Sequence, residues 1–178
     1  MKRQMSWALL TAGIALAAAT VMAAPAAAAT SGSETIQGTI VASGASGTRT
    51  VITSVIIFKG AFHGVGRIVE VDNLPTDPDN VTRDDLVFAS GTMHIVNTNL
   101  GFSISVNPRS CVATATLPQT NEIVGGTGQF THATGHFSGT VTGRAVLARN
   151  PDRSCDLDLS HDPLHEVDMF TSTGMLSF

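Results

Sequence analysis

Acids and histidines are sparse enough in this chain that each can be weighed for chemistry on its own. Glu70 and Asp72 lie two apart in an alternating run, 66–72, which puts both carboxylates on one strand face with Ile68. On a strand lining a pocket, such acids can give or take a proton on a bound molecule; on a face turned to water they are solvated rim charges. His94 sits near Phe88 and Val96 in an apolar run. An imidazole there is either hydrogen-bonded into a core or acts as a pocket acid or base near neutral pH. Asp85 precedes the same run and suits a turn or cap hydrogen bond at the strand's start. His132 and His136, and His161 and His165, are each four apart, a zinc-binding spacing on a helix. Gly135 interrupts one pair and Pro163 the other, so no metal site is expected. His165-Glu166-x-Asp168 gathers titratable groups where the last strand should begin, and reads as a polar rim. The G-x-S-x-G elbow, the phosphate-binding loop with its lysine and the H-E-x-x-H motif are all missing, so hydrolase and nucleotide-binding chemistry lack support.

The N-terminal 29 residues read as a secretory signal peptide. Met1-Lys2-Arg3 is its basic start, 7–22 its apolar alanine-rich run, and Ala27-Ala28-Ala29 the small-residue cleavage pattern before Thr30. The apolar run falls short of the roughly 18 to 20 residues of a membrane span. An exported protein without membrane attachment after cleavage is therefore expected. Cleavage leaves one domain, 30–178, of about 149 residues, enough for a sizeable core. It also removes Lys2 and Arg3 and takes the net charge from −4 to about −6. The remaining basic residues are scattered, which argues against nucleic acid as a partner.

Two cysteines, Cys111 and Cys155, are the only ones. In an exported chain their default is one disulfide; a C-x-x-C redox motif is absent and two thiolates cannot build a metal site. Past the leader the aromatic residues are all phenylalanine, which disfavours the tryptophan and tyrosine platforms that sugars stack on.

The chain reads as all-β. Strands are expected over 35–41, 48–58, 66–72, 85–97, 102–106, 111–117, 136–149, 155–159 and 166–178, on β-branched content and alternation. The run 85–97 is taken as one strand, with Met93 and Ile95 on one face and Leu86, Phe88, His94 and Val96 on the other. Residues 74–83, with two prolines and Asp77, Asp79 and Asn80 in quick succession, form a surface loop. Eight or nine short strands punctuated by Gly and Pro point to a barrel or sandwich. A closed barrel of about eight strands has room for its own side chains or one small ligand.

Between two of these strands, Gly125, Gly126 and Gly128 crowd together ahead of Phe130, Ala133 and Gly135. Such density marks backbone with positive φ or close packing of chain on chain, with Phe130 turned back as a plug and room for a short helical turn around 129–133. This segment resembles the G-G-T-G-x-F-x-x-A-x-G signature of the dirigent and allene oxide cyclase barrels. Arg83-Asp84-Asp85-Leu86-Val87-Phe88 is similar to the G-D-x-x-V-F strand start of secreted bacterial allene-oxide-cyclase-like domains, with Arg-Asp at the first positions. Ser110-Cys111-Val112-Ala113-Thr114 is similar to their cysteine-bearing strand, and 69–74 is a weaker match to the dirigent V-x-D-D-P-L segment. The resemblance covers about 66–149 and implies an eight-stranded antiparallel barrel whose lumen takes a hydrophobic ligand, without metal or organic cofactor. It places Asp72 at an acidic pocket position and implies that dimers or trimers form; Glu70 and His94 join Asp72 as candidate acid–base residues from the reading of their own strands. Three functions follow as expectations: a binder of a small hydrophobic molecule, a cofactor-free isomerase or cyclase that steers a reactive ligand, or an extracellular structural protein with a filled barrel.

Overall fold

The computed structural model describes residues 30–45, 48–158 and 160–178. The signal peptide expected over 1–29 lies outside the described residues. Nine strands follow one another: β1 (Ser31–Ser43), β2 (Thr50–Gly60), β3 (Gly64–Val71), β4 (Val81–Phe88), β5 (Gly91–Asn99), β6 (Ser103–Asn107), β7 (Val112–Gly126), β8 (Thr134–Val146) and β9 (His165–Ser177). Neighbours in sequence pair antiparallel from β1 through β5 and from β6 through β9, and β1 pairs with β9. Pairing of β5 with β7 closes the sheet into an eight-stranded antiparallel barrel, with β6 as an appended ninth strand. Closure satisfies the edges that an open sheet would expose.

β7 is long enough to serve two partners. Its first part, from Val112 to Thr116, pairs with β6, and its second, from Gln119 onward, with β5. Pro118 falls in the gap, opposite the break at 100–102, where its missing N–H leaves no ladder bond unmade; its carbonyl accepts from Leu100 N–H.

The strand expected over 85–97 is instead two strands. Phe88 pairs with Gly91 across a hairpin whose tip is Ala89-Ser90. The turn shifts the alternation, so Leu86, Phe88, Met93 and Ile95 are all buried in the same core. Likewise 155–158 is not a strand: only an isolated Arg149–Cys155 bridge forms there. The glycine-rich connection is shorter than the sequence suggests, because β7 extends through Gly126.

One end of the barrel is closed by aromatic packing. Phe58, Phe62, Phe88, Phe130 and Phe178 meet edge-to-face, with centroids 5.1–5.9 Å apart, the arrangement favoured by ring quadrupoles. Phe130 is delivered by a single 3-10 turn, Gly128–Phe130, and both it and Ala133 are fully buried. Gly128 adopts φ +60°, and a Cβ on Gly126 would stand 2.1 Å from the Thr92 carbonyl. The turn therefore needs glycine at one site for conformation and at the other for contact. It docks on the β4–β5 turn through Gln129 N–H to Ser90 O and Thr127 N–H to Thr92 O.

Cys111 and Cys155 form the expected disulfide. It ties the β6–β7 turn to the excursion 147–164 between β8 and β9. That excursion returns across the β1–β2 turn, where Gly44 N–H donates to the Pro163 carbonyl.

Candidate functional site

Above the phenylalanine plug the lumen stays open as a cavity of about 780 Å³. Strand alternation explains its lining, since every second residue faces inward. Ile36 on β1, Ile56 on β2, Ile68 on β3, Leu86 on β4 and Ile95 on β5 form the aliphatic wall nearest the plug, with Phe170 of β9 against them. One step toward the mouth, the same strands present polar side chains: Glu70 after Ile68, Asp84 before Leu86 and Asn97 after Ile95.

A hydrogen-bonded chain crosses four strands in this belt. Ser172 Oγ donates to Asn121 Oδ1 at 2.8 Å, Asn121 Nδ2 to Asn97 Oδ1 at 2.9 Å, and Asn97 Nδ2 to Asp84 Oδ2 at 2.7 Å. Each link points its proton toward Asp84. Ser172, on β9, reaches Asn121, on β7, across the intervening β8, because the residue facing Ser172 there is Gly139. A Cβ at that position would lie 2.1 Å from Ser172 Oγ.

Arg49 organises the rim. Its backbone N–H donates to Asp162 at 2.7 Å, so the β8–β9 excursion fixes where the side chain starts. Its Nη1 bonds both oxygens of Glu70, at 2.5 and 2.6 Å, and its Nε bonds Glu166. Burial opposes the guanidinium charge, but the hydrogen bonds to Glu70 and Glu166 outweigh it and raise its pKa. Arg49 thus spans a place where β2 and β3 part: their backbone pairing runs only from Ile56 to Phe58 on β2, and beyond it Ser54 Oγ both accepts from Ile68 N–H and donates to Ile68 O.

Two carboxyl groups facing the lumen are shifted upward. Burial pushes Asp84 up to about 6, against the Asn97 hydrogen bond and with help from Glu70. Burial, then the charge of Glu166, pushes Asp168 up to about 6 as well. Asp168 accepts no hydrogen bond among the described residues.

The sequence candidates divide between the lumen and other places. Glu70 lines the cavity and is held by Arg49; Asp72 lies just past β3 at the mouth, exposed to solvent. His94 faces outward, because the β4–β5 turn reverses the expected alternation; its Nδ1 is 2.6 Å from Asp85 Oδ1 on the outer wall. Asp85 is accordingly a mid-strand partner of His94 and not a cap. Glu166 and Asp168 belong to the rim, whereas His165 is exposed. His161 pairs with Asp156 in the excursion. Among the described residues no group of three or more His, Cys, Asp or Glu could hold a metal ion. Gly125, Gly126, Gly128, Phe130, Ala133 and Gly135 build the closed end and do not line the cavity.

Arg49, Asp84, Asn97, Asn121 and Ser172 were not legible as site residues. For the four on strands the available signal was inward parity, which needs the register to be known; Arg49 lies just before β2.

No family model matches the chain, and neither a curated protein nor a solved structure matches it.

Proposed function

We propose that this protein binds a small, largely apolar molecule in its barrel lumen. The supporting observation is the cavity of about 780 Å³, closed by phenylalanines at one end, walled by isoleucine and leucine, and open at a polar mouth. Buried aliphatic walls with a few convergent polar groups suit a small-molecule site. A barrel filled by its own side chains loses support from the same cavity. The leader-like 1–29 and the disulfide are compatible with export, and secretion is part of this reading.

A second reading is a cofactor-free isomerase or cyclase of the dirigent or allene oxide cyclase kind. Asp84 and Asp168 favour it, since acids with pKa near 6 exchange protons readily at neutral pH. Dimers or trimers, implied by the same resemblance, would be sought at the exposed Leu100 and Phe102 before β6 and Ile104 on it.

Native mass spectrometry of protein purified from culture supernatant tests the binding. A retained small apolar guest is expected, and Ile68→Trp, which fills the lumen, should abolish it. A bare mass that stays bare after exposure to fatty-acid, polyketide and phenolic libraries would overturn the proposal. Chromatography of a guest before and after incubation separates carriage from conversion.

A further inference from the structure

The charges at the lumen mouth are unevenly satisfied. Two guanidinium groups line it, and both are occupied: Arg49 by Glu70 and Glu166, and Arg83 by Asp77 through bonds of 2.6 and 2.9 Å. Two carboxyl groups beside them are not fully engaged. Asp84 has a donor on one oxygen only, and Asp168 has none among the described residues. They stand on β4 and β9, which are opposite walls of the eight-strand ring. A partly desolvated carboxylate without a partner is costly, and a counter-charge or a proton relieves it.

We infer that the lumen's guest is an amphiphile with a cationic nitrogen head, its apolar body against Ile36, Ile56 and Ile68 and its ammonium at the level of Asp84 and Asp168. This rests on the lumen-binding reading above. An anionic head would meet carboxylates on several walls while both guanidinium groups are already engaged. A neutral head would leave the two aspartates as they are. The elements around Asp84 bring Glu70 from β3, Arg49 and, on its own strand, Asp85; those around Asp168 bring Glu166, Arg49 and Glu70. Its direct cross-strand neighbours, Ile40 on β1 and Gly143 on β8, carry no charge. Acids outnumber bases at both positions, so binding of a cation should expel protons below about pH 6.

Octylamine, octanol and octanoate share a tail and differ in the head, so titration calorimetry of the mature protein against all three reads the head-group preference. At about pH 7.5 octylamine should bind at least about tenfold more tightly than octanoate, with octanol between. Octylamine affinity should fall about tenfold at about pH 5, where it stays protonated and the aspartates do not stay ionised. Asp168→Asn should narrow the preference. Octanoate binding as tightly as octylamine, or octanol matching it, would overturn the head-group assignment and leave lumen binding intact. No binding by any of the three would count against both. The head-group series on the unaltered protein needs no variant to fold.

Discussion

Asp84 is pulled in opposite directions. Asn97 donates to its carboxylate and favours the ion, while burial and Glu70 favour the acid, and the second influence prevails. Because its folded pKa of about 6 lies above the unfolded value of 3.8, the folded state binds the proton more tightly. The stability this contributes is full below about pH 4 and is lost as pH rises through about 6. At about pH 8 the ionised group therefore opposes folding, by on the order of 1 to 2 kcal/mol once its partial exposure is allowed for. Asp84→Asn keeps an acceptor for Asn97 and removes the charge. It should raise the unfolding free energy by about that amount at about pH 8 and change it little at about pH 4. Urea denaturation at the two pH values measures the difference; equal effects at both would show that burial does not govern this group.

At the scale of the strands, the polar belt depends on one residue without a side chain. Gly139 on β8 faces Ser172, and a Cβ there would lie 2.1 Å from the hydroxyl and 2.2 Å from the Thr171 carbonyl. The hydroxyl could turn away, but the carbonyl belongs to the β8–β9 ladder and cannot. Gly139→Ala should thus destabilise by about 1 to 3 kcal/mol, and adding Ser172→Ala should not restore the loss. Recovery in the double variant, followed by urea denaturation, would mean that only the hydroxyl was in the way. The same strands show why some of the architecture could be read in advance and some could not. The glycine-rich turn was legible because Gly128 and Phe130 carry their reasons locally, a positive φ and a buried ring. The β4–β5 turn was not: Ala89-Ser90 lacks the Asn-Gly or Asp-Gly signal of a two-residue hairpin, and the apolar run passes through it. That one turn sent His94 outward and brought Asn97 inward beside Asp84. Glu70 could be picked out from alternation within its own strand. The chain from Asp84 to Ser172 joins β4, β5, β7 and β9, and it exists only because β5 closes onto β7, a pairing that short-range pattern does not contain.

The two ends of the molecule have different duties. At the plugged end, phenylalanines from two turns, the ends of two strands and the C-terminus pack together, and Thr30 and Phe178 bond each other's backbone. At the mouth the chain is held by long connections, and the disulfide is what restrains the longest of them. Cys155 anchors the excursion to Cys111; the excursion supplies Asp162, Asp162 holds the Arg49 backbone, and Arg49 ties β3 to β9 through Glu70 and Glu166. Opening the 44-residue loop should cost about 3 to 4 kcal/mol by releasing entropy in the unfolded chain. The loss should not be shared evenly over the barrel. In a Cys111→Ser/Cys155→Ser variant, amide hydrogen exchange should quicken first at Arg49 and at the start of β9, while Phe130 and Ala133 stay protected up to global unfolding. A guest in the lumen would then leave faster through a loosened rim although its aliphatic wall is unchanged. Uniform acceleration at both ends would show instead that the disulfide acts only through the unfolded state and that the mouth keeps its shape without it.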